Sequence, residues 1–206
     1  MTKTNTLSQA SQTTASESYT KRLTNLSGSR WKHILNVQAP YQWNLRRLHL
    51  GKTLDVGCGI GRNMGALGIG SVGVDHNEHS VAHCNHIGFE AYTNGDFLSK
   101  HTPSKDTFDS ILIAHVFEHL TAEHDVDILK QYIPYLKSGG KVVIITPQEA
   151  GYASDATHVE FMPFEKVGDI VSKVGLTTER YYSFPFPRIV GKVFKYNEFV
   201  FIARKP

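Results

Sequence analysis

The chain has 206 residues, 40% of them hydrophobic and 20% charged, with a formal net charge of +3. This length fits one ordinary domain with room for an appendage, and it allows a sizeable core. The charge is too mild to argue for nucleic acid, because no run of Lys and Arg concentrates it. No stretch approaches the roughly 18 apolar residues of a membrane span, and the N-terminus lacks the apolar core of a signal peptide. The two isolated cysteines, Cys58 and Cys84, suit a reducing compartment. A cytoplasmic protein is expected.

Residues 2–20 hold ten Ser or Thr and almost no large apolar side chains. Such a segment buries too little surface to offset its ordering entropy. A flexible tail is expected over 1–28, with ordering over a bound ligand as the open alternative. A single domain is expected over 29–206. In it, Trp31, Ile34, Leu35 and Val37, then Tyr41, Trp43, Leu45 and Leu48 beyond Pro40, predict two short helices over 29–50. These either cover one end of a sheet or form a lid.

An alternation of elements follows. Strands are predicted at 53–57, 71–75, 89–92, 108–114, 141–146, 178–183 and 198–203. Helices are predicted from Arg62, over 78–86 ending at Gly88, over 125–136, and over 164–174 ending at Gly175. Strand and helix in this rhythm mean parallel βαβ units with helices on both faces of a sheet. The last two strands follow without a helix between them, so one of them is expected to be antiparallel.

The sharpest motif is Asp55-Val56-Gly57-Cys58-Gly59-Ile60-Gly61, after the first strand. Glycine allows a tight turn and lets a ligand touch the main chain. A dinucleotide site wants G-x-G-x-x-G, but Arg62 stands where the third glycine would be. Asp55 would repel a pyrophosphate and attract a cationic ligand. Asp75 ends the second strand, where a carboxylate can accept hydrogen bonds from ribose hydroxyls; its other reading is a helix N-cap. Cys58 fits a small, tight position and is not expected to act as a nucleophile.

These residues resemble the class I S-adenosylmethionine-dependent methyltransferases, over about Gly51 to Pro147. The resemblance implies an α/β, Rossmann-like, doubly wound and mostly parallel seven-stranded sheet with one antiparallel strand near the C-terminus. It implies S-adenosylmethionine as cofactor and S-adenosylhomocysteine as product. Asp55, Gly57, Cys58, Gly59, Gly61 and Arg62 would meet the methionine portion, and Asp75 with its neighbour His76 the ribose. Asp96-Phe97 would meet adenine, and His115 would line the cofactor as the fourth strand ends. The Leu136-Lys137-Ser138-Gly139-Gly140 run before the fifth strand also fits.

Catalytic candidates are His158, His119 and His115. A methyl transfer needs a base only when the acceptor must lose a proton, and His158, with Asp155 as orienting partner, is the candidate for a hydroxyl acceptor. Packing in a loop is the equal alternative for His158. Quinone-ring O-methyltransferases carry E-x-x-E-H at the place of His115-Val116-Phe117-Glu118-His119 and hold a metal there. Here His115 replaces the first Glu, so Glu118 and His119 are expected to shape the crevice floor, and no metal is expected. The aromatics of 181–199, with Arg188, Lys192 and Lys195, suit a small-molecule or lipid-linked acceptor; core packing is the alternative for most of them. Peripheral membrane contact and oligomeric state stay open. No nucleic-acid methylation motif of the N/D-P-P-Y kind follows the fourth strand. A non-catalytic cofactor-binding protein of the same fold is the alternative function.

Overall fold

The computed structural model describes residues 38–99 and 103–206. The expected tail and the first of the two N-terminal helices lie outside the described residues. The chain divides into two compact units, Met1–Thr102 and Pro103–Pro206.

The first unit begins with helix α1 (Ala39–Arg47), which Pro40 opens at a first-turn position where its missing N–H costs nothing. Strands β1 (Thr53–Val56), β2 (Val72–Asp75) and β3 (Ala91–Thr93) are parallel, in the order β3-β2-β1. Every residue of β1 and β2 is buried, as expected for strands covered on both faces. Helix α2 (Glu78–His86) starts at Asn77, whose side-chain oxygen accepts from the His79 and Ser80 N–H groups, and it runs out before Gly88 at φ +91°. Helix α3 (Asn94–Ser99) follows β3 directly; it was not expected.

The helix expected from Arg62 does not form. The glycine loop leads instead into turns and one short 3-10 helix, Met64–Ala66. Gly61, Gly65, Gly68 and Gly70 fall within ten residues, and each glycine costs a helix about 1 kcal/mol. Gly68 is also required by packing, since a Cβ there would sit 2.3 Å from the Gly51 carbonyl oxygen.

The second unit holds β4 (Phe108–Ala114), helix α4 (Ala122–Tyr132), β5 (Leu136–Pro147), a single helical turn α5 (Glu149–Tyr152), helix α6 (Phe164–Lys173), β6 (Thr177–Phe184) and β7 (Glu198–Arg204). β4 and β5 are parallel, and β7 is antiparallel to both β5 and β6. The strands are ordered β3-β2-β1 in the first unit and β4-β5-β7-β6 in the second. This is the expected mostly parallel sheet with one antiparallel strand. α6 buries Val167, Ile170 and Val171, an i, i+3, i+4 stripe. The buried stripe of α4 is Asp125, Leu129 and Tyr132, so a carboxylate stands on its apolar face.

A buried polar network joins the ends of β5, β6 and β7. Gln148 and Asn197 are both fully buried. The Gln148 amide donates to Ser183 Oγ at 2.7 Å and to the Glu198 carbonyl at 2.9 Å, and the Asn197 amide donates to Gln148 Oε1 at 3.0 Å. Asn197 Oδ1 accepts from the Phe186 N–H at 2.9 Å. Removing one member leaves the others buried and unpaired. Asn197→Ala is expected to lower unfolding free energy by about 2–4 kcal/mol; a urea melt that shows less than about 1 kcal/mol would mean the network is not holding the strand ends.

Candidate active site

The first unit carries the glycine loop. The Gly57 and Cys58 N–H groups both donate to the Val74 carbonyl, at 2.8 and 3.1 Å, which bends the chain off β1. Gly57, Gly59 and Gly61 have φ of +78°, +52° and +79°. A Cβ on Gly59 would meet nothing within 4 Å, so open space lies beside the backbone there. Gly61 is different: its Cβ would strike Phe89 at 2.9 Å and Cys84 Sγ at 3.1 Å. The loop is seated on the buried cluster of Cys58, Met64, Val81, Cys84 and Ala91, with the Cys84 thiol donating to the Gly59 carbonyl at 3.2 Å. Cys58 is buried, and its hydrogen bond with Cys84, together with burial, pushes its thiol pKa far up, which removes it as a nucleophile.

Asp75 holds the loop from the next strand. Its Oδ2 accepts from the Gly59 N–H at 2.8 Å, and its Oδ1 accepts from the Asn77 N–H at 2.8 Å. The N-cap reading belongs to Asn77 rather than to Asp75. Asp55 is fully buried, and neither of its carboxylate oxygens has a hydrogen-bond partner. Burial, and then the charge of Asp75, push its pKa up to about 7. The two acids lie close enough for the charge of Asp75 to disfavour ionisation of Asp55, a local excess of negative charge that a cationic ligand would relieve.

The remaining residues of this set are spread around the loop. Arg62 and His76 are exposed, and His76 Nδ1 lies 3.4 Å from Asp75 Oδ1. Asp96 is half-buried at the start of α3. Its N–H donates to Thr93 Oγ1 at 3.1 Å, while the Thr93 hydroxyl donates to Asp96 Oδ2 at 2.9 Å. The Phe97 side chain is fully buried.

The second unit carries the histidines. His115 leaves β4 with φ +59°, a conformation uncommon outside glycine. Its Nδ1 lies 3.1 Å from Glu118 Oε1 and its Nε2 lies 2.9 Å from Glu198 Oε1. Partial loss of hydration opposes a charge on this ring, but the two carboxylates outweigh it and raise the pKa to about 10. His115 is thus an imidazolium at neutral pH, with both nitrogens engaged.

His119 and His158 are arranged differently. His119 Nδ1 lies 3.2 Å from the Thr157 carbonyl, and His158 Nδ1 lies 2.7 Å from the Tyr152 carbonyl. A carbonyl only accepts, so each Nδ1 carries the proton and each Nε2 keeps its lone pair. Burial holds the His119 pKa below the usual histidine value. The rings sit 4.9 Å apart, and His158 stacks on Tyr152 at 5.3 Å. Asp155 is not the orienting partner of His158: its Oδ1 accepts from the Thr157 N–H at 3.0 Å and from the Thr157 hydroxyl at 2.8 Å. Of the two buried carboxyls here, Glu118 and Asp125, only Glu118 is singled out by the sequence. Glu118 is fully buried with Oε2 unpartnered, and Asp125 has neither oxygen partnered and a pKa pushed up to about 8 by burial, Glu160 and Glu118. The E-H pair pointed to Glu118, but only the burial of one face of α4 reveals Asp125.

Residues 54–144 match the protein family described as "Methyltransferase domain". The chain has the same fold as a SAM-dependent methyltransferase from Archaeoglobus fulgidus, at 20% identity and TM-score 0.64, covering 84% of this chain and 99% of that one. It is similar also to magnesium protoporphyrin IX methyltransferase from Synechocystis with bound SAM, at 12% identity, TM-score 0.65, and 98% and 97% coverage. The plantazolicin methyltransferase in complex with SAH is similar at 15% identity and TM-score 0.64, covering 98% of this chain and 95% of that one. None of the curated proteins matches the sequence.

The unpaired Asp55 generates a pH dependence in the ligand-free protein. Its pKa is higher folded than unfolded, so the fold prefers the neutral acid. Stability is expected to fall as pH rises from about 4 to about 7, and to lose nothing further from this group above that. Asp55→Asn is expected to raise the melting temperature by about 3 °C or more at pH 8, and by nothing at pH 4. Equal shifts at both pH values would show that ionisation of Asp55 carries no cost.

Proposed function

We propose that this chain uses S-adenosylmethionine to methylate a small-molecule or lipid-type acceptor, on oxygen. The observation that carries the donor assignment is Asp55: a buried, unpartnered carboxylate beside Asp75, under a loop whose backbone is open at Gly59. This donor set fits a ligand that brings an ammonium and a sulfonium. Asp75, with His76 beside it, would take the ribose, and Asp96 at the start of α3 the adenine. The Gly57, Cys58, Gly59 and Gly61 backbone and Arg62 would frame the methionine portion. S-adenosylmethionine, when bound, supplies a methyl group on a good leaving group, so what remains for the chain is orientation and handling of the acceptor's proton.

Oxygen as the receiving atom rests on the histidines. His158 and His119 are presented with Nδ1–H fixed by a backbone carbonyl and Nε2 free, which is the posture of a general base toward a hydroxyl. His115, held as a cation by Glu118 and Glu198, would act by charge and position rather than by taking a proton.

The acceptor class is inferred from the segment between β6 and β7. Phe186, Ile189, Val193 and Tyr196 are exposed there, with Lys192 and Lys195 among them. Arg188 is not spare in this segment: it forms a bidentate pair with Glu149 and lies over Phe199 at 4.7 Å. An apolar surface edged by lysines suits an amphipathic acceptor with an anionic group. The similar structures include a geranyl diphosphate methyltransferase, whose named substrate has that character. Among the described residues no helix is long and apolar enough to cross a membrane.

Calorimetric titration with S-adenosylhomocysteine is expected to show one site per chain, weakened at least about 10-fold by Asp75→Ala; an absence of binding to the wild type would overturn the donor assignment. Incubating cell extract with methyl-labelled S-adenosylmethionine is expected to place label in the small-molecule or lipid fraction. His158→Ala is expected to slow that labelling by about 100-fold or more. Label in protein or RNA would overturn the acceptor class, and equal labelling by both proteins would remove His158 as base.

A further inference from the structure

The second unit brings together three donors that methyl transfer does not require as a set. Ligand atoms of Glu118, His119 and His158 all lie within 4.8 Å of one another. His115 cannot be a ligand, because Glu118 and Glu198 take both of its nitrogens. The third donor comes instead from the loop after β5, far away in sequence.

Three independent features of this cluster match what a metal site needs. Glu118 is completely buried, yet its Oε2 has no partner. A carboxylate oxygen in that state costs free energy unless a cation or donor reaches it. Both imidazoles have Nδ1–H anchored on a backbone carbonyl, at Thr157 and at Tyr152. That bond fixes tautomer and ring orientation and leaves Nε2 as the ligand atom, the outer-shell arrangement that metal-binding histidines show. Finally, Glu118 is itself aimed by its bond to His115 through Oε1, which keeps Oε2 for another partner.

We propose that Glu118, His119 and His158 bind one divalent transition-metal ion, with coordination positions left open. Two imidazoles and one carboxylate select ions such as Zn²⁺, Co²⁺ or Fe²⁺ over Mg²⁺ and Ca²⁺, which favour oxygen donors. Bonds of about 2.1 Å place donors about 3.4 Å apart around a tetrahedral ion. One ligand atom from each residue already lies within 4.8 Å of the others, so the cluster is near that spacing. An ion there lowers the pKa of a hydroxyl bound in an open position, replacing the imidazole as the means of activating it. That role rests on the methyl-transfer reading; the binding itself does not.

The test uses the full, tag-free chain and Co²⁺ alone, followed by visible absorption and by equilibrium dialysis. The wild type is expected to bind one Co²⁺ with an absorption that His158→Ala and Glu118→Gln each weaken at least 10-fold in affinity. Thermal melts of both variants confirm that they fold. Glu118→Gln keeps the side-chain volume, so it serves if His158→Ala is unstable. Helix α2 presents His79 and His83 four residues apart, a pair that could bind Co²⁺ adventitiously. The double variant His79→Ala/His83→Ala is expected to keep the site. The proposal is overturned if the wild type binds no Co²⁺, if His158→Ala and Glu118→Gln bind as well as the wild type, or if only the α2 double variant loses binding. Titration with S-adenosylhomocysteine on the same samples reports the donor site separately, so failure of the metal site and failure of the methyl-transfer reading give different results.

Discussion

The Asp75 carboxylate is the constraint on which the first unit's loop depends. One oxygen takes the Gly59 N–H and the other the Asn77 N–H. A single side chain at the end of β2 therefore fixes both the turn after β1 and the entry to α2. The loop can then adopt three left-handed glycines in five residues without wandering, because its backbone has a fixed point on the neighbouring strand. The arrangement has a cost, borne by Asp55: its carboxyl lies buried beside a second negative charge with nothing to pair it. A site that is short of a cation is held open by the same acid that shapes it, a common relation between function and local instability.

The second unit solves its polar burial in two contrasting ways. At the junction of β5, β6 and β7, Gln148, Ser183 and Asn197 satisfy one another almost completely. That part of the structure is stiff for the reason a hydrogen-bonded network usually is. Around β4 and α4 the groups are left in deficit: Glu118 has one oxygen unserved and Asp125 has two. Glu198 links the two regions, since its carbonyl belongs to the satisfied network and its carboxylate to His115. The imidazolium is thus positioned from the rigid side and faces the deficient one.

Much of this was legible from the chain. β4 and α2 are found at the expected bounds, and so is an antiparallel final strand, although a short 3-10 helix, Arg188–Lys192, stands before it where no helix was expected. The helix after the glycine loop was missed because the strand-loop-helix pattern outweighed the local glycine content, which physically forbids a helix there. α3 was not expected: Thr93 does accept from the Asp96 N–H at its start, as an N-cap would, but Thr93-Asn94-Gly95-Asp96 departs from the S/T-x-x-E/Q pattern that announces a helix. Glu118, His119 and His158 were visible singly. Their gathering was not, because it depends on the Val159 and Glu160 N–H groups folding back onto the Glu118 carbonyl, at 2.7 and 3.1 Å, a contact between loops that no periodicity encodes. The role expected of Asp155 went to a main-chain carbonyl, which sequence patterns cannot single out.

The position of β7 has a consequence for how the molecule is made. It is the last strand in sequence, yet it lies between β5 and β6 and is bonded to both along their lengths. A nascent chain that has emerged through β6 therefore exposes two open sheet edges at once. β5 is almost wholly apolar from Val142 to Pro147, and such an edge readily recruits foreign strands. A chain folded as far as β6 but without β7 keeps both edges exposed, and this half of the sheet closes only when β7 is added. Loss of β7 would therefore remove more than one strand from the sheet, because it would also cut β6 off from β5.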